Sequence, residues 1–238
     1  MKKLKTFFIV LLVIIFITST LFNILLFGSS YGSLMLKKDT NLLQSMSWTD
    51  VSSNTLAGIK SQKNKGYLYQ EKVYNGDELE KSLEYYIYFD ETSSPTYTYT
   101  LKEGESETKI YYNGEFLYTE KGESKLKKKL TEIQLASNIN AIVGKIVSFH
   151  ESAYTSITTV EDKNLDTSIS FSFSPFYFIG INVEIDNEDN DSEFGFDLNG
   201  NLRKGEYEFA DDSKAEIKLS TKTSEIEFPD FYRFALEK

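Results

Sequence analysis

His150 is the only histidine in the chain, and there is no cysteine. Those two counts remove most of the chemistry a chain of this length could carry, because zinc sites and nucleophile–base pairs draw on imidazole and thiolate. His150-Glu151 begins like the metalloprotease pattern H-E-x-x-H, in which two imidazoles one helical turn apart hold the metal. Tyr154 stands where the second would be. A serine triad would need His150 as its base, and no G-x-S-x-G accompanies it. Neither a G-x-G-x-x-G turn nor a P-loop is present. Asp186 to Glu193 places oxygen donors at alternating positions, as a calcium loop does. Asp191 replaces the turn glycine and Asp197 replaces the closing glutamate. That stretch reads as a hydrated acidic turn. Among 36 acidic residues no spacing singles out a pair for glycoside hydrolysis. The chain is expected to be non-catalytic, with no cofactor and no metal.

Binding is then the remaining class, and charge narrows the partner. The formal net charge is −10, and three of the lysines (Lys2, Lys3, Lys5) precede residue 7, so the remaining chain is more acidic still. Such a surface repels phosphate backbones, and nucleic acid is not expected as a partner. The one positive island is residues 121–129, with five lysines, read as a solvated loop or strand edge. Eighteen Phe and sixteen Tyr, with only three Pro, favour strands over helices.

The strand signals are strongest where apolar residues alternate with polar ones. Tyr67 to Tyr74, Glu84 to Phe89 and Thr96 to Leu101 form the first group. Tyr97, Tyr99 and Leu101 share one face of the third. Asn113-Gly114 predicts a two-residue hairpin with Tyr111 opposite Phe116 and Ile110 opposite Leu117. Thr131-x-x-Gln134 has the spacing of a capping box, and Leu135, Ile139, Ile142, Val143, Ile146 and Phe149 recur at helical spacing. One amphipathic helix over residues 132–150 is predicted, packed on the sheet. Further strands follow. Ile169, Phe171 and Phe173 alternate with serines, and Ile179, Ile181, Val183 and Ile185 line the next. A turn at Asn199-Gly200 puts Phe194, Phe196, Leu198, Tyr207 and Phe209 on one face. Ala215, Ile217 and Leu219 make another strand, and residues 226–229 a last edge strand. The total is nine or ten strands. Residues 41–60 predict one or two short helices, with Asp50 as a cap and Trp48 as a packing anchor.

Ahead of all this, Phe7 through Phe27 form an uncharged apolar run preceded by the three lysines. As a helix it would span about 32 Å, the thickness of a bilayer core. The charge asymmetry puts the N-terminus in the cytoplasm. A cleaved signal peptide is the rival reading. In Leu26-Phe27-Gly28-Ser29 a serine stands where a lipidated cysteine would be. The expected organisation is a cytoplasmic tail over residues 1–6, a signal-anchor helix over 7–27, a linker over 28–40 and an extracytoplasmic β-rich domain over 41–238. The protein is expected at the cell membrane as a single-pass chain, or secreted if the segment is cleaved.

The fold class expected is mainly β (α+β): a curved antiparallel sheet or half-barrel with one central amphipathic helix. Its apolar strand faces are Tyr97, Tyr99, Phe171, Phe173, Ile179, Ile181, Phe194 and Phe196. They exceed what one helix covers, so a hydrophobic or lipidic ligand bound in the half-barrel is expected. The alternative is a cell-envelope interaction or assembly module with no small-molecule ligand. The element order, with the Y-Y-N-G-E-x-L-Y strand pair at Tyr111 to Tyr118, resembles LolA-like lipoprotein carriers and their LppX/LprG-type relatives. That resemblance implies an incomplete barrel wrapped round a helix-lidded, lipid-binding cavity over about residues 41–236. It departs in lacking the lipobox cysteine.

Overall fold

A computed structural model describes residues 56–158, 166–174, 177–186, 190–197, 201–231 and 233–236. A short helix α1 (Leu56–Lys60) leads into β1 (Lys65–Asn75), β2 (Glu78–Phe89), β3 (Pro95–Glu103), β4 (Ser106–Tyr112), β5 (Phe116–Lys121) and β6 (Ser124–Lys129). The long helix α2 (Glu132–Thr158) follows. Then come β7 (Asp166–Ser174), β8 (Tyr177–Asp186), β9 (Asn190–Asp197), β10 (Leu202–Phe209), β11 (Ser213–Lys222) and the two-residue β12 (Ala235–Leu236). All twelve strands belong to one sheet in the order β12-β6-β5-β4-β3-β2-β1-β11-β10-β9-β8-β7.

This architecture corrects the half-barrel. Each half of the chain is a run of hairpins, and the halves join where β1 pairs with β11 over ten residue pairs. Strands are then added outward in both directions, leaving β7 at one end and β6 with β12 at the other. The two ends do not pair, so the sheet is open. It is also mixed, because β12 runs parallel to β6. The strand expected over residues 226–229 does not form, and β12 takes its place at the edge. Trp48, Asp50, Leu198 and Asn199-Gly200, expected from the sequence as an anchor, a cap, part of a face and a turn, lie outside the described residues.

The single-pass membrane topology is not supported by the described residues. Among the described residues no helix is long and apolar enough to cross a membrane. At 27 residues α2 is long enough, but Gln134, Asn138, Asn140, Lys145, His150 and Glu151 interrupt it. Residues 7–27, on which the single-pass anchor and the cell-membrane localisation rested, lie outside the described residues.

The α2 N-terminus follows the capping-box expectation. The Gln134 backbone N–H donates to Thr131 Oγ1 (3.3 Å), and the Thr131 N–H donates to Gln134 Oε1 (3.1 Å). The helix continues two turns past residue 150. Ile139, Ile142, Val143, Ile146, Phe149 and Ala153 are buried along one stripe. This stripe lies on a sheet face built from Tyr67, Tyr69, Ile87, Tyr97, Tyr112, Phe194 and Leu219. Phe149 meets Tyr69 edge-on with centroids 6.3 Å apart. Beneath it, Gly205 leaves the space the ring occupies: a Cβ there would lie 2.5 Å from Phe149 Cε2.

The Asn113-Gly114 hairpin forms one residue further on than predicted. Tyr112 pairs with Leu117 and Tyr111 with Tyr118. Asn113 Oδ1 accepts from the N–H groups of Glu115 and Phe116 (3.1 and 2.9 Å), which makes Asn113 the first residue of the turn. Gly114, at φ +96°, then takes the first central position, as a type II′ turn requires. The slide moves both strands together, so every residue keeps its face.

Because Phe149 is buried and its ring edge cannot retreat, Gly205→Ala is expected to lower stability by about 1–3 kcal/mol. Urea unfolding measures it, and an unchanged midpoint would show that the ring is not seated on the sheet.

Candidate functional site

An opening on the helix-covered face is a cleft of about 460 Å³ between the first half of α2 and strands β2 to β6. The floor is aromatic and aliphatic. Tyr85 and Tyr99 lie in cross-strand register on β2 and β3, with rings 5.0 Å apart. Tyr97 stacks on Tyr112 at 5.4 Å and 27°. Ile110 and Leu117 continue the floor on β4 and β5. The helix side is Gln134, Asn138, Ala141 and Ile142, and the outer wall is Lys128 of β6 with Leu130.

The polar groups at this cleft are mostly committed. Gln134 caps the helix. Asn138 Nδ2 donates to the Tyr97 hydroxyl at 3.0 Å. Burial pushes the Tyr97 phenol up to about 12, and the hydrogen bond from Asn138 opposes it. Burial likewise pushes Tyr85 up to about 12, with the charges of Tyr99 and Glu71 adding to it. The phenols therefore stay neutral. Lys128 is the one charged side chain among the twelve that line the cleft. An apolar floor with a single ammonium at its rim suits a large apolar group next to an acid.

Of the predicted site residues, Tyr97 and Tyr99 line this cleft. Phe194 and Phe196 do not. They are 0 % and 3 % exposed, packed in the core. Phe171 pairs with Ile181, and Ile181 with Phe196, so these positions share the same face by register far from the cleft. Phe173 and Ile179 sit on the same two strands, β7 and β8. Of the eight, Tyr97 and Tyr99 are thus at the cleft and Phe194 and Phe196 in the core. The ligand-filled half-barrel is corrected on the sheet itself: among the described residues its ends do not pair, so it closes round no lumen. Sequence reasoning missed Lys128. Its signal was the lysine island, which forms the edge strand β6 directly before α2.

His150 lies in a second, small pocket of about 70 Å³ with Gln62, Lys65, Tyr67, Asn201 and Arg203. Arg203 Nε and Nη2 donate to Asp197 Oδ2 at 3.0 and 2.8 Å. Burial alone would raise the Asp197 carboxyl. Hydrogen bonds from Asn201 and Arg203 outweigh it and hold the group below its ordinary value. Burial, and then the charge of Arg203, push the His150 imidazole down to about 4. Among the described residues no group of three acids or histidines is arranged to hold a metal.

No family model matches this chain, and no curated protein does. Among solved structures its resemblances are weak and at low identity. The crystal structure of LprF from Mycobacterium bovis aligns with TM-score 0.43 and 11 % identity, covering 81 % of this chain and 96 % of that one. MucB in complex with MucA(peri) aligns with TM-score 0.35 and 11 % identity, over 75 % of this chain and 57 % of that one. The MucA/MucB complex of Pseudomonas aeruginosa gives TM-score 0.35 and 8 % identity, over 76 % and 59 %. Likenesses this distant do not say what this chain binds.

The depressed imidazole has a pH consequence. The unfolded chain takes up a proton near pH 6.5 and the folded one only near 4, so this stabilisation is present above pH 6.5 and is lost as pH falls toward 4. His150→Gln is expected to lose less stability than the parent between pH 6.5 and 4. Urea midpoints across that window check it, and parallel curves would show that His150 is not held neutral by the fold.

Proposed function

We propose that this domain is a non-catalytic protein-interaction module that takes an extended segment of a partner protein at the β6 edge of its sheet. One observation carries the reading: the cleft beside α2 is walled by β6, which only the two described residues of β12 separate from the sheet edge, and Lys128 of β6 is the one charged side chain among the described residues that line it. A strand laid along a sheet edge obtains affinity from main-chain hydrogen bonds and specificity from pockets for alternate side chains. Here the pocket beside the edge would take a large apolar anchor, and Lys128 an acid next to it. The island of lysines on an acidic chain adds attraction for an acidic segment.

Non-catalytic action is supported by the state of the single histidine. A general base must pass through its charged form, and the surroundings of His150 disfavour that form.

A photo-crosslinking amino acid placed at Lys128 in the full chain, in its native cells, tests the interaction. Lys72, exposed near the middle of the sheet on β1, is the control. Capture at 128 but not at 72 is expected, with the adduct mapping to an extended segment that carries an acid beside a bulky apolar residue. Lys128→Glu is expected to weaken binding of that segment about tenfold or more. Equal capture at both positions, or none at either, would overturn the reading.

A further inference from the structure

The other face of β4–β6 carries a second feature. Beyond β11 the chain turns back across this outer face. The Tyr86 hydroxyl donates to the Ser224 carbonyl oxygen, and Lys222 lies over the Tyr86 ring. Further on, Phe231 stacks on Tyr118 with centroids 3.7 Å apart and planes 8° apart, and also meets Tyr111 at 5.6 Å. Phe234 stands edge-on to Tyr118 at 5.4 Å, and Lys125 lies over its ring. Phe234 is 7 % exposed. Among the described residues, the segment then pairs with β6 through Ala235 and Leu126, and Leu236 and Lys127.

The anchors and the ladder are unequal. Two aromatic rings are seated in a built trough, whereas in the strand that follows Leu236 is 64 % exposed. By alternation along β6, Lys125, Lys127 and Lys129 are on this outer face, and Lys128 is on the cleft face. Acidic residues Glu225, Glu227 and Asp230 precede the two phenylalanines in the strap. The occupant therefore displays the chemistry the trough accepts: acids, then phenylalanines three residues apart, ending in an extended stretch beside a basic strand.

We infer that the outer trough of β4–β6 is a peptide-docking surface held in cis by the C-terminal segment. A partner segment of the same make-up displaces β12 to reach the β6 edge. This rests on the reading of β6 as the interaction edge and gives that edge a built-in competitor. β12 sets a threshold: a partner must supply both phenylalanines and a ladder along β6 that outcompetes it.

The chain has no cysteine, so a single reversible lock can be introduced. Leu126→Cys with Ala235→Cys places two thiols at directly paired positions, within the reach of a disulfide. The probe is a fluorescein-labelled peptide of residues 224–238, SEIEFPDFYRFALEK, followed by anisotropy on the full-length protein. The reduced double variant and the parent are expected to bind it equally. Oxidation should weaken binding at least tenfold, and reductant should restore it. Phe231→Ala with Phe234→Ala in the protein, which empties the trough, should tighten binding about tenfold. The same two changes in the peptide should abolish it. Binding that ignores the lock, or no binding by the parent, the reduced variant and the emptied variant alike, would overturn the inference. If the peptide fails while Lys128 still captures a partner, the trough inference falls and the edge reading stands. If both fail, both fall.

Discussion

The structure depends on one connection. The strand before α2 and the strand after it lie near opposite ends of the same sheet, ten strand spacings apart. At about 4.8 Å per spacing the path is on the order of 48 Å along a flat sheet, and a 27-residue helix supplies about 40 Å of it. A closed barrel would bring β6 and β7 together and leave such a helix nowhere to go. The contacts follow the crossing. Asn138 reaches Tyr97 on β3, Lys145 reaches Glu71 on β1 at 3.1 Å, and Ser152 meets Tyr207 on β10 at 3.2 Å. The helix is thus both connection and core, and its length keeps the sheet open.

That crossing also decides where a cavity is left. Over the middle of the sheet the helix sits close, because Gly205 admits Phe149 and because Val143 and Ile146 are fully buried. Toward its N-terminus the capping box turns the chain out of β6, and the helix begins above Tyr97 and Tyr99 with smaller or polar residues, Asn138 and Ala141 among them. The gap between large tyrosines below and short side chains above is the cleft. Its position beside β6 is therefore a consequence of the crossover, independent of any barrel.

Much of this was legible residue by residue. Period-two alternation located β1, β2, β3, β7 and β8, and the capping box located the start of α2, because each rests on local geometry. The hairpin turn slid by one residue because the Asn113 side chain bonds to the backbone beyond it, an option the dipeptide alone does not reveal. β6 read only as a solvated loop or strand edge because Ser124-Lys125-Leu126-Lys127-Lys128-Lys129 shows no alternation, although its lysines divide between two faces once it pairs with β5. Openness was not legible. Alternation states which face of a strand is apolar, but the join of β1 to β11 and the reach of α2 decide whether the ends meet. Tyr97 and Tyr99 were placed at the cleft by their strand pattern, while Lys128 needed the topology.

Lysines on an edge strand have an ordinary role, which is to keep other chains away. That role needs the charges out in water, ready to repel an arriving strand. In β6 three of the four lysines, Lys125, Lys127 and Lys128, are placed otherwise. Lys127 lies over the Phe116 ring and Lys125 over that of Phe234, both at 5.7 Å, and Lys125 also pairs with Glu120 at 2.8 Å. Lys128 is turned to the cleft. The outer face of β10 and β11 makes the contrast: there Lys204 and Lys214 are matched with Glu193, Glu206 and Glu208 in a charge ladder without aromatics between them. At β6 the cations are interleaved with rings and a pocket, an arrangement that favours an acidic, aromatic strand over a neutral one. The chain's own C-terminal segment, with that composition, lies on it.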